Sequence, residues 1–199
     1  ITRLFPGQAL AARGVIVLQL DERISPKAMQ TPNEWREVQA GYESAIDYLA
    51  ARGLIVRDRV GLIGWSRSAP YVGYTITHTE YPIAAAAITA GADFGWYWNI
   101  LAGAPSSLHQ IYGGDPIGPG MEHWLEYSTT FNLDRFYAPL FIWSGSSVIS
   151  KWDWFAGLSS IHAPVEYWAS EGDHWGTSVN QQVALNALLV DWFDFWLND

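Results

Sequence analysis

Ser66 stands in the run Gly64-Trp65-Ser66-Arg67-Ser68, between a stretch of buried-looking residues and a helical-looking segment. That setting suits a nucleophile elbow, in which a serine is held on a sharp turn from a strand into a helix. The constraint is steric. Strand and helix pass so close that the residues two before and two after the serine must be small. Gly64 meets this; Ser68 meets it less well than glycine would, and Ala69 continues the small run. A helix starting at Arg67 aims backbone N–H groups at negative charge developing on an acyl oxygen, so the Arg67 N–H is the candidate oxyanion donor. The bland alternative is an ordinary strand-to-helix connection. A G-x-S-x-[GS] pattern is weak by itself and gains weight from following a buried strand.

A serine nucleophile needs a base, and the sequence has five histidines. His78 falls at a helix end, and His109, His123 and His162 fall in loops or at helix ends, where surface and capping roles are ordinary. His174, in "ASEGDHWG", follows the last expected strand by a few residues and precedes the closing helix. In a sheet whose strand ends collect the active site, that loop lies beside the elbow, so His174 is the candidate general base. An imidazole needs a partner to hold its tautomer and orientation. Asp153, in "SKWDWFAGL", is the first candidate acid and Asp93 the runner-up; a site without an acid is the third reading. Glu171 and Asp173 sit too close to His174 in sequence to face it readily.

These residues need a scaffold, and the chain supplies an alternation of strands and helices. "GVIVLQL" (14–20), "RVGLIGW" (59–65), "IAAAAIT" (83–89), "PLFIWSG" (139–145) and "PVEYWAS" (164–170) are the expected strands. The continuous apolar runs among them fit strands buried on both faces. "GQALAARG" reads as a short helix closed by Gly14. "TPNEWREVQAGYESAIDYLAARG" opens on an N-capping box of Thr31, Pro32 and Glu34, and its apolar residues keep helical spacing until Gly53. The chain closes on a helix with a stripe of Leu185, Leu188, Leu189, Trp192 and Trp196. Such an order makes a parallel sheet with helical crossovers. Residues 93–135, rich in Gly, Pro and aromatics, form a long excursion expected over the strand ends.

The 199 residues suit a single domain with a sizeable core, 49% hydrophobic and 16% charged. A net charge of −9 argues against a nucleic-acid surface. No apolar stretch reaches the ~20 residues that span a bilayer. Without cysteine, disulfides, thiolate catalysis and Cys-based zinc sites are excluded. Histidine and carboxylate spacings suggest no metal site. "YGGDPIGPG" lacks the lysine and helix of a phosphate loop, so no cofactor is expected. "DFGWYWN" (93–99) gathers aromatic rings that serve either as an apolar wall for substrate or as packing. Arg67 either steers a carboxylate-bearing substrate or is simply solvated. The opening "ITRLFPGQALAARG" starts on Ile1 and reads as the middle of something, a fragment or a chain whose beginning was removed.

The order and spacing of "LAARGVIVLQLDER", "AIDYLAARGLIVRDRVGLIGWSRSA", "APLFIWSG", "APVEYWASEGDHW" and "LVDWFDFWL" resemble the catalytic domain of the prolyl oligopeptidase family of serine peptidases. The resemblance implies an α/β-hydrolase fold, a mostly parallel sheet flanked by helices, in which Ser66 attacks an acyl carbonyl and His174 carries the proton. It also implies peptide or small acyl substrates. Two departures stand out. The family fold has eight strands and a preceding β-propeller, whereas the five strands read here match the last five, and no propeller is read. The family also places its aspartate a few residues after the "PLFIWSG" strand, where Val148 stands. A serine peptidase is therefore the leading expectation. An esterase on the same scaffold, or a degenerate hydrolase serving as a binding module, are the alternatives.

Overall fold

A computed structural model describes residues 5–21, 23–89, 96–101, 106–145, 151–171 and 178–198. A short helix α1 (Gly7–Ala12) and a long one, α2 (Asn33–Ala51), precede strand β1 (Gly61–Trp65) and helix α3 (Ser68–His78). Strand β2 (Ala85–Thr89) is followed by α4 (Trp96–Leu101), α5 (Ser106–Ile111), α6 (Met121–Tyr127) and 3-10 turns at Gly118–Gly120 and Thr129–Arg135. Strand β3 (Leu140–Ser144), helix α7 (Trp152–Ser160), strand β4 (Val165–Ala169) and helix α8 (Val179–Asn198) complete the order.

The four strands form one parallel sheet in the order β1-β2-β3-β4. Alternating residues explain why β2 and β3 read as unbroken apolar runs. Ala86, Ile88, Leu140 and Ile142 join a core built with α2, α3 and α7, while Ala85, Ala87, Phe141 and Trp143 join a second core against α8. These two strands thus bury both faces, and a polar residue on either would be desolvated without a partner. The edge strand β4 differs, leaving Glu166 and Trp168 exposed.

Parallel registration sets one rim of the sheet. Trp65, Thr89, Trp143 and Trp168 are paired in a row from β1 to β4. Ser66 follows the first of them directly, and the segments after β2, β3 and β4 leave from the same carboxyl ends. This is the side on which open α/β sheets bind ligands.

One expected strand is not a strand. Residues 14–20 pair with no strand among the described residues, and Ile16, Val17 and Leu18 are 50%, 47% and 50% exposed. A cavity of about 300 Å³ lies between this segment and β1, lined also by Tyr42, Ile46, Phe193 and Leu197. Its apolar sequence carries the pattern of a buried strand, but hydrogen-bonded pairing needs a neighbour about 5 Å away, and β1 stands across the cavity.

Candidate active site

The turn after β1 has the strained geometry that its sequence suggested. Ser66 lies at φ +55°, one of three non-glycine residues in the left-handed region among those described. A side chain there is disfavoured by about 1–3 kcal/mol and persists only when its surroundings fix it. Those surroundings are visible. A Cβ on Gly64 would lie 2.5 Å from the Ser68 carbonyl oxygen, 2.7 Å from its carbon and 2.8 Å from the Ala69 Cα, so only glycine lets α3 pass so close to β1. Ser68 also does what glycine at that position would not. Its hydroxyl donates to the Trp65 carbonyl (2.8 Å) and accepts the Trp65 N–H (3.0 Å), clipping the two sides of the turn together. The Ala69 N–H donates to the Ser66 carbonyl at 3.2 Å, starting the helix immediately after the serine.

Arg67 is neither a free steering charge nor simply solvated. Its Nη2 donates to Glu34 Oε1 at 2.5 Å, and its Nε donates to the same oxygen at 3.1 Å and to the Tyr71 hydroxyl at 2.8 Å. The Glu34 side chain is fully buried, while that of Arg67 is 42% exposed. The Tyr71 hydroxyl donates to Glu34 as well, and the Gln30 N–H donates to the second carboxylate oxygen at 2.6 Å. Burial alone lowers the Arg67 pKa, but Tyr71 and Glu34 outweigh it and hold the guanidinium above its ordinary value. Burial, then the bond to Glu34, pushes the Tyr71 phenol well up, so it stays a donor. Glu34 reads in the sequence as half of a capping box. In the structure its carboxylate takes the amide of Gln30 instead of that of Thr31, and turns inward to the elbow.

No protein-family model matches the sequence. The chain is 29% identical over 175 residues to the lasso peptide isopeptidase AtxE2 of Asticcacaulis excentricus, a match covering 84% of this chain and 24% of that protein. The chain thus spans about a quarter of the length of the curated relative it matches. The ligand-free structure of AtxE2 superposes with a TM-score of 0.73 at 25% identity, over 87% of this chain and 27% of that one. An acylaminoacyl peptidase of Pyrococcus horikoshii superposes with a TM-score of 0.71 at 16% identity, over 84% and 29% of the two chains. The chain has the α/β-hydrolase fold of the prolyl oligopeptidase-type serine peptidases.

Of the other candidate residues, Asp153 lies in the first turn of α7, which follows β3 and so starts near the carboxyl rim. Its half-buried carboxylate accepts a hydrogen bond from the Thr130 hydroxyl (2.6 Å) and one from the Trp154 N–H (3.1 Å). His174, Asp93 and Val148 lie outside the described residues. Three of the remaining histidines have side-chain partners of their own. His78 stacks on Tyr74 at 4.0 Å with its Nε2 2.8 Å from the Glu126 carbonyl, and His109 Nδ1 lies 2.7 Å from Asp115. His123 stacks near Tyr127, and His162 turns the chain at φ +58° after α7. Of "DFGWYWN", Trp96 donates to the Pro116 carbonyl and packs on Phe131 within the excursion itself. Among the described residues no group of His, Asp or Glu has the arrangement of a metal site.

Sequence reasoning missed Glu34 and Tyr71 as neighbours of the serine turn. The available signal was the pair Arg67 and Tyr71, four residues apart at the start of a helix and hence on one face. Nothing local pointed to Glu34 as their partner.

Proposed function

We propose that this chain is the catalytic portion of a serine peptidase that cleaves peptides through an acyl-enzyme. Ser66 Oγ attacks the scissile carbonyl and its proton passes to His174. The oxyanion is held by the Arg67 N–H, and His174 returns the proton to the leaving amine. Water, deprotonated by the same imidazole, then releases the acyl group as an acid and restores Ser66. The observation that carries this reading is Ser66 at φ +55° on a turn closed by Gly64 and Ser68. An ordinary strand-to-helix connection has no need of such strain. Likeness to AtxE2 supports a peptide substrate, and peptides closed by an isopeptide bond are the first class to try. No helix among the described residues is long and apolar enough to cross a membrane, and nucleic acid is not the substrate that a net charge of −9 favours.

The test is covalent labelling of the full-length protein with a fluorophosphonate. Labelling of the wild type, absent in Ser66→Ala, is the expected result. An unlabelled wild type sinks the proposal and favours a binding module on a hydrolase scaffold.

Asp153 is proposed as the third member of the triad, supported by its place at the start of α7. Asp153→Asn is then expected to slow turnover by about 10³-fold or more, by leaving His174 without its orienting partner. Asp93→Asn is expected to have the smaller effect. Steady-state rates of the two variants check this, and the reverse order moves the acid to Asp93.

A further inference from the structure

Glu34 sits at the junction of two strained turns. Its carboxylate holds the Gln30 N–H, in a residue at φ +58°, through one oxygen and the Arg67 guanidinium and Tyr71 hydroxyl through the other. Arg67 is the residue directly after Ser66, which is itself at φ +55°. So one fully buried carboxylate ties the start of α2 to the apex of the elbow. For stability alone this arrangement is a poor choice. Burying the Glu34 carboxylate costs desolvation, and an apolar side chain in such a place often does as well or better. What the carboxylate provides is direction. The Nε and Nη2 of Arg67 both meet one oxygen, and Tyr71, a turn further along α3, braces the same guanidinium. The side chain is therefore fixed at its far end, the backbone at its near end by the Ser68 clip, and the Arg67 amide between them has little freedom.

We infer that Glu34 is a positioning residue for hydrolysis, holding the Arg67 N–H in the direction of the oxyanion through the Arg67 side chain. The inference rests on the reading of Ser66 as nucleophile. An oxyanion donor contributes when its N–H is already aimed as charge develops, and losing one such donor lowers kcat by about 10²–10³-fold. A misdirected donor is expected to lose part of that.

The experiment uses the full-length protein with p-nitrophenyl acetate as substrate and phenylboronic acid as inhibitor, since a boronate forms a tetrahedral anionic adduct on a catalytic serine. Glu34→Gln is expected to lower kcat about 30-fold with KM within about twofold, and to weaken phenylboronic acid by a similar factor. Arg67→Lys keeps the charge but not the two-nitrogen grip, and its partly exposed position lets it fold; a loss of about 10-fold in kcat, again without a change in KM, is expected. The double variant Glu34→Gln/Arg67→Lys is expected to be no slower than the slower single one, because both act on the same amide. A merely structural Glu34 would lower the melting temperature and leave kcat and boronate affinity unchanged in the folded protein, which would overturn the inference. So would a rise in KM at unchanged kcat, or full additivity of the two changes. If Ser66→Ala retains the wild-type rate, the nucleophile reading falls and this inference falls with it. If Ser66→Ala abolishes the rate while Glu34→Gln and Arg67→Lys do not change it, only the role of Glu34 falls.

Discussion

His174→Ala is expected to lower turnover by about five orders of magnitude, while His109→Ala leaves it within about twofold. Removing the base from a serine triad is about as damaging as removing the nucleophile, because neither acts without the other; what remains comes from the oxyanion donors and binding. The contrast between the two histidines makes the test sharp. His109 already has a carboxylate 2.7 Å away in Asp115, the pairing that a general base requires, and its ring meets Trp124 edge-on. A search for His–Asp pairs alone would select it. Its other ring nitrogen argues otherwise, because Nε2 is buried without a hydrogen-bond partner among the described residues and so does not meet Ser66, which follows β1. His174 follows β4, whose carboxyl end lies on the same rim as the elbow. Rates of p-nitrophenyl acetate hydrolysis for the two variants decide it, and comparable losses would remove His174 as the base.

Why the sequence disclosed the turn but not its anchor follows from the range of the forces involved. The elbow is local. Gly64, Ser66 and Ser68 fall within five residues of one turn, and the steric demand for small neighbours is written in their identities. The strands β2 and β3 were legible for a related reason, since burial on both faces leaves an apolar residue at every position but the last. Glu34 is different. A carboxylate three residues after a threonine reads as a capping box whichever way it turns, and the contact that turns it inward lies 33 residues away in Arg67. Residues 14–20 fail in the opposite sense. Their β-branched run records a preference for burial, but preference does not supply a hydrogen-bonding neighbour, and within this chain the nearest strand stands beyond a cavity. The aromatic cluster at 93–99 was ambiguous because a tryptophan wall and a tryptophan core have the same composition. The bond from Trp96 to Pro116 and its packing on Phe131 show one of those rings turned into the excursion.

Gly64→Ala is expected to damage both stability and catalysis, because the strand and the helix after it leave no room for a side chain. The added carbon meets the Ser68 carbonyl and the Ala69 Cα at 2.5 to 2.8 Å, and these are backbone atoms of α3 that cannot rotate away. Relief requires the helix to back off the strand. Overpacking of this kind costs about 3 kcal/mol, and a domain of this size then loses about 10 °C in melting temperature. The retreat also moves Ser66 and the Arg67 amide together, and a shift near 1 Å in a reacting group is enough for about a 100-fold loss in rate. Gly41→Ala is the control, a glycine whose added carbon meets nothing. Gly41 sits exposed within α2 with no atom within 4 Å of its added Cβ, so alanine there is expected to stabilise the helix by about 1 kcal/mol without touching turnover. Thermal melts and p-nitrophenyl acetate rates for the pair provide the measurement. A Gly64→Ala protein as stable and as active as Gly41→Ala would mean that strand and helix do not approach as closely as the elbow requires, and the strain at Ser66 would then lose the contact that sustains it.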